Sequence, residues 1–217
     1  MHQGSAFLGD WYYGTMVSAS PSTSQKWHSG FFMENPDPAL VRYVEQVRSL
    51  VAERVPIPER ADQICQAVQT LAAAEMKLPE SCCQVGDCLY GRNLVYRDPD
   101  YGFVLISMVW PAGVDAPAHD HGTWCCVGVL EGAVRIIDYQ ADPVEPGRIV
   151  ETRRADASAG ASCSVLPPET DIHKICNPFE TRAVTLHTYG KDILRCNTFD
   201  PEDCKVEEHE LSYVNLA

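Results

Sequence analysis

The sequence predicts a mainly β fold, a sandwich or barrel with helices packed against it. Three observations carry that reading. From Leu89 onward, short runs rich in Val, Ile, Leu, Thr and aromatic residues are punctuated by Gly, Pro and Asp. Ahead of them lie two amphipathic segments whose apolar residues recur at three- and four-residue steps. No internal repeat or linker divides the 217-residue chain, which is long enough for one domain with a proper core.

Taken in order, residues 1–34 are rich in Ser, Gly and aromatics without sustained period, and read as a flexible N-terminal arm. Residues 35–217 read as a single domain, with a helical lead-in over 36–76 and a β-barrel over about 88–200. Asn35-Pro36-Asp37-Pro38 opens the first helix, and Leu40, Val41, Val44, Val47, Leu50 and Val51 form its apolar stripe as far as Val55. Pro56 and Pro58 break it. A second helix is expected over 59–76, with Ile64, Ala67, Val68 and Leu71 facing inward. Strands are expected over 89–97, 103–110, 123–131, 133–139, 149–154, 162–166, 182–189 and 192–199, with Gly132 in a tight turn. About eight short strands at this spacing fit a sandwich or barrel.

Composition sets outer bounds. The net charge of −13 argues against nucleic acid or an anionic membrane surface as partner, since both need a positive patch. No apolar run approaches the ~20 residues that span a bilayer. Residues 1–30 lack the basic start and apolar stretch of a secretory signal. The ten cysteines contain no C-x2-C pair, so zinc-ribbon and thioredoxin readings fail. They are read as reduced thiols of a cytoplasmic protein, most of them small buried hydrophobes.

The chemistry concentrates at His119 and His121, with Gly113 and Gly132 flanking them. A His-x-His pair on an extended segment puts both imidazoles on one face. His173, followed by Asn177, is a third candidate. Three imidazoles brought together in an apolar setting call for a divalent metal; the alternative is two loop histidines and one satisfied core histidine. Gly-x5-His-x-His with a later His-x3-Asn resembles the paired motifs of cupins. That resemblance implies a single cupin domain, a double-stranded β-helix or jelly-roll barrel with the N-terminal α-helices packed against it.

In the general cupin pattern a glutamate stands seven residues before the closing glycine. Counting back from Gly132 gives Cys125, so a thiol replaces the carboxylate. A neutral three-histidine set accepts an anionic ligand, such as a thiolate, without accumulating charge. Here the chain resembles the thiol dioxygenases, the cysteine dioxygenase group, in four blocks that occur in the family's order. These are Tyr90-Gly91-Arg92-Asn93-Leu94, Pro117-Ala118-His119-Asp120-His121, Ile172-His173 and Ala183-Val184-Thr185-Leu186-His187-Thr188-Tyr189. The last carries Thr185 where the family has Ser. The resemblance, over about 89–199, implies Fe(II) held by His119, His121 and His173, and addition of both atoms of O2 to the sulfur of a small thiol carboxylate. It implies that Arg92, with Tyr90, binds the substrate carboxylate.

The residues also speak for themselves. Arg92 carries a rigid donor fork suited to a carboxylate, the alternative being a surface pair with Asp87 or Asp98. Thr185, His187 and Tyr189 share parity on one strand, so hydroxyl, imidazole and phenol form a relay in which His187 orients Tyr189. In some members of the resembled family, the cysteine at the Cys125 position is joined to the tyrosine by a thioether, and Cys125 and Tyr189 are both present. Cys126 also fits when counted forward from His121; parity admits one of the two, and the count from Gly132 favours Cys125.

The resemblance implies L-cysteine as substrate through arginine at Arg92, whereas the segment His119–Gly132, with Trp124, looks more like the group that uses 3-mercaptopropionate. Gly190-Lys191, where cysteine-specific members have Ser-Pro, and Thr185 in place of Ser are departures; cysteine is placed first. The rival is a non-redox metal-dependent cupin, an isomerase or small-ligand binding module, which would normally keep the missing glutamate. A zinc-binding or thiol-storage role has no chelating cysteine cluster to support it. Oligomeric state is left open, monomer included.

Overall fold

The computed structural model describes residues 30–217; most of the arm expected over 1–34 therefore lies outside the described residues. Helix α1 spans Pro38–Ala52 and opens on Asp37, whose side chain accepts from the Ala39 amide at 2.7 Å. Leu40, Tyr43, Val44, Val47 and Leu50 are its buried stripe. Helix α2 spans Ile57–Ala73 and buries Ala61, Ile64, Ala67, Val68 and Leu71. The two prolines expected to interrupt the first helix instead launch the second. Pro56 caps it and Pro58 sits in its first turn, where a missing N–H leaves no bond unmade.

Eleven strands follow: β1 Gly91–Arg97, β2 Val104–Trp110, β3 Ala118–His119, β4 Cys125–Glu131, β5 Ala133–Ala141, β6 Ile149–Ser158, β7 Ser162–Val165, β8 Ile172–Cys176, β9 Ala183–Tyr189, β10 Arg195–Asp200 and β11 Lys205–Glu210. They form two antiparallel sheets, ordered β1-β2-β9-β4-β7 and β11-β10-β3-β8-β5-β6. The fold is a two-sheet jelly-roll sandwich rather than a closed barrel. Gly132 makes the β4–β5 turn at φ +69°, and a side chain there would press on the Arg182 carbonyl.

The first sheet is covered on both faces. Its outer face meets the helices: Cys126 packs with Ala61, Ile64 and Val68, and a Cβ at Gly128 would drive into Val68. Its inner face meets the second sheet, where Leu94, Ile106, Val127 and Val129 pack with Val134, Ile136 and Ile175. This double coverage explains why β2 and β9 are buried at every position.

Candidate functional site

The site is built on the inner faces of both sheets. His119 on β3 lies directly opposite His173 on β8, and His121 follows two residues beyond His119. Ring centroids are 4.9 Å (His119–His121), 5.0 Å (His119–His173) and 4.6 Å (His121–His173) apart. One ligating nitrogen from each lies within 4.8 Å of the others.

Backbone carbonyls fix two of the tautomers. His121 Nδ1 faces the Asp171 carbonyl at 2.8 Å and His119 Nδ1 faces the Pro117 carbonyl at 3.2 Å. A carbonyl only accepts, so both Nδ1 atoms carry the proton and both Nε2 atoms keep a lone pair. Asp171 also accepts from the amides of His121, at 2.9 Å, and Gly122, at 3.2 Å. Burial pushes the Asp171 carboxyl up, but these bonds outweigh it and hold the group below its usual range.

Burial, then the neighbouring His121, brings His119 down to about 3, and the same effects keep His173 neutral. His121 Nε2 and both ring nitrogens of His173 are buried and have no hydrogen-bond partner among the described residues. Orphaned buried nitrogens are costly. Neutral donors converging from three sides fit a divalent cation, with Asp171 holding His121 from behind. Among the described residues, the cluster contains no carboxylate and no thiol.

Beside it, β9 places Thr185, His187 and Tyr189 on the inner face. Trp110 Nε1 donates to Thr185 Oγ1 at 2.8 Å, which lies 2.8 Å from His187 Nε2. His187 Nδ1 is 3.1 Å from the Tyr189 hydroxyl. In the tautomer with the proton on His187 Nδ1, Thr185 donates to Nε2 while accepting from the indole, and Nδ1–H donates to the Tyr189 hydroxyl, so every group of the chain has a partner. The phenol is left free to donate. His187 is kept neutral by burial and by His121, and burial raises Tyr189 well above its ordinary value.

Cys125 lies directly opposite Tyr189 in the β4–β9 ladder, and burial pushes its thiol well above the ordinary range. Cys126 points the other way, its sulfur 3.6 Å from the Ala61 carbonyl of α2. The ambiguity between the two cysteines is thus resolved by the pleat: only Cys125 is on the His187–Tyr189 face.

Arg92 is buried on β1, in register through Met108 with Thr185. Its Nη2 donates to the Ile193 carbonyl at 2.6 Å, and its guanidinium lies 4.5 Å from the Tyr213 ring centroid. It does not pair with Asp98, which is held by Arg48 and Tyr96. Burial dominates the protonation of His119, His187 and Tyr189; the Arg92 charge adds to it at the two histidines and partly offsets it at the phenol. Tyr90 stacks on Trp110, centroids 4.9 Å apart. Arg195 is exposed and pairs with Glu208 and Glu210, outside the cluster.

Sequence reasoning missed Trp110, Asp171 and Tyr213. Trp110 shares parity with the β2 residues that face Thr185, and Asp171 shares parity with His173; both signals were present. Tyr213 has no such signal, because it reaches Arg92 only through the folding back of the chain after β11.

Jelly-roll topology with three imidazoles gathered on its inner face defines a cupin-type protein. The profile of the family "Cysteine dioxygenase type I" matches residues 39–202. The chain belongs to that family. Its similarity to the curated cysteine dioxygenase type 1 of Danio rerio is 28% identity over 116 residues, covering 51% of this chain. The match spans only 56% of the relative's own length. Similar solved structures include TT1209 of Thermus thermophilus (15% identity, TM-score 0.41, 54% of this chain and 99% of that one). The cupin domain of Schizosaccharomyces pombe Cnp3 is another (12% identity, TM-score 0.38, 48% and 61%).

Proposed function

We propose that the protein is a non-haem Fe(II) thiol dioxygenase that converts a small mercapto-carboxylate to its sulfinic acid, with L-cysteine placed ahead of 3-mercaptopropionate. The observation that carries this reading is the set of buried imidazole nitrogens of His121 and His173, which among the described residues have no hydrogen-bond partner and converge with His119 with no acidic side chain in the cluster. Family membership supports the same reaction class.

Bound by the three histidines, ferrous iron supplies redox chemistry with O2 that side chains lack. The residues do the rest. Arg92 binds the substrate carboxylate, with Tyr90 beside it. The neutral imidazoles tolerate the substrate's thiolate without adding negative charge. Tyr189, oriented through Trp110, Thr185 and His187, presents its phenolic proton to the reacting sulfur and oxygen atoms. The sulfur gains both oxygen atoms and is itself the reductant.

Cys125 and Tyr189 form a thioether in this reading. The bond joins sulfur to the phenol ring with loss of one hydrogen from each, O2 being the oxidant. It locks the phenol in the position the relay requires. The ten cysteines form no disulfide with one another, which supports a reducing, cytoplasmic setting. No described helix is long and apolar enough to cross a membrane.

The test is O2 uptake by the iron-loaded protein across cysteine, 3-mercaptopropionate, mercaptosuccinate and cysteamine, with Arg92→Gln beside the parent. Uptake with mercapto-acids, selectively lost in the variant while cysteamine is spared, is the expected result. No uptake with any thiol favours a binding module instead.

A further inference from the structure

The segment after β11 is tied to the site at several independent points, and its own residues belong to none of the motif blocks carried on β1, β3, β8 and β9. Leu211 N donates to the Leu194 carbonyl at 2.8 Å, beginning the return of the chain. Asn215 then acts as a substitute strand: its Oδ1 accepts from Leu94 N at 2.9 Å and its Nδ2 donates to Leu94 O at 3.0 Å. Leu94 lies on β1, which is an edge strand, so this side chain satisfies backbone groups that would otherwise face outward. Between these anchors sits Tyr213, 7% exposed, whose hydroxyl donates to Asp192. Asp192 in turn accepts from Arg97, the last residue of β1.

The consequence falls on Arg92. Its guanidinium rests on the Tyr213 ring face and donates to the Ile193 carbonyl, next to Asp192. One face of the guanidinium plane is therefore fixed by an aromatic ring that neutralises no charge and takes no N–H. An acidic partner at that position would compete with a substrate carboxylate; a ring holds the fork in place and leaves its charge unspent.

We propose that Tyr213 is a positioning residue for carboxylate recognition, carried on a strap that Leu211 and Asn215 fasten to the sheet. This rests on the reading of Arg92 as the carboxylate anchor. It adds that specificity for acidic thiols over neutral or cationic ones depends on a residue remote from the family's motif blocks.

The test compares the parent with Tyr213→Leu, which keeps apolar bulk, and Tyr213→Phe, which keeps the ring and loses only the bond to Asp192. Two readouts run together: O2 uptake and a thermal-shift titration with 3-mercaptopropionate and with cysteamine. In Tyr213→Leu, KM and apparent Kd for 3-mercaptopropionate rise by roughly tenfold, with kcat changed far less and cysteamine values held. Tyr213→Phe stays within about threefold of the parent for both thiols, since the ring face remains. Equal weakening for both thiols in Tyr213→Leu, or no weakening, overturns the proposal. If the parent oxidises no thiol yet Tyr213→Leu still selectively loses 3-mercaptopropionate binding, the dioxygenase reading falls and the role of Tyr213 stands.

Discussion

Thr185→Val removes one oxygen atom at the centre of the site while leaving shape and volume nearly unchanged. Thr185 is fully buried, and its hydroxyl serves two partners, the Trp110 indole N–H and His187 Nε2, each at 2.8 Å. Valine satisfies neither. Two buried polar groups without partners, at about 1–3 kcal/mol each, give a loss of about 2–6 kcal/mol. For a domain of this size each kcal/mol lowers Tm by about 2–4 °C, so the midpoint falls by about 4–24 °C. Turnover falls more than stability alone explains, by about 10²-fold, because His187 no longer has a fixed tautomer with which to orient Tyr189. Thr185→Ser retains the hydroxyl and loses one methyl, which costs about 1 kcal/mol and keeps most activity. Differential scanning fluorimetry and O2 uptake read both effects. A valine variant that melts within about 2 °C of the parent and turns over at the parental rate refutes the relay.

Three further outcomes follow from other parts of the structure. The metal-free folded chain keeps His119, His173 and His187 neutral, whereas the unfolded chain protonates them below pH ~6.5, so unfolding takes up protons there. Stability is therefore full above that pH and falls on acidification, by up to ~1.4 kcal/mol per pH unit for each imidazole. Urea midpoints of the metal-free protein between about pH 7.5 and about pH 5.5, where carboxylates are silent, check this, and a flat profile contradicts it. Gly190 lies against Trp124, and a Cβ there would sit on the indole ring and 2.8 Å from Thr123 Oγ1. Gly190→Ser is expected to cost about 1–3 kcal/mol, most of it recovered when Trp124→Leu is added; additive losses in that double-mutant cycle would argue against the clash. Finally, protein that has turned over is lighter by two hydrogens and has Cys125 alone among its ten thiols resistant to alkylation. A mass unchanged from the sequence, with every thiol alkylated, removes the thioether from the account.

What the chain declares about itself depends on whether a residue's partners are local. The interior strands were legible because double coverage makes them continuous apolar runs, as in 103–110, where β2 is Val104–Trp110. Three strands were not. β3 is two residues long, and its identity comes from its neighbours β8 and β10. β8 sits between Pro168 and Pro178 with Lys174 at its centre, and so reads as a loop. β11, Lys205–Glu210, is exposed at every position and held by pairing with β10, which no hydrophobic pattern could announce. Within the site, parity placed Thr185, His187 and Tyr189 on one face and separated Cys125 from Cys126, because period two is a property of the strand itself. The stacking of Tyr213 on Arg92 spans 121 positions of sequence and arises only from tertiary closure.

The claim on which the rest depends is that three imidazoles hold one ferrous ion without an acidic ligand. Anaerobic Fe(II) titration followed by metal analysis tests it directly on the parent and on His119→Ala, His121→Ala, His173→Ala and Asp171→Asn. One iron per chain is expected in the parent, with binding lost in each histidine variant. Asp171→Asn should still bind, about 10–100-fold more weakly, because it only steadies His121. Stoichiometric iron in His173→Ala, or complete loss of iron in Asp171→Asn, would contradict the account.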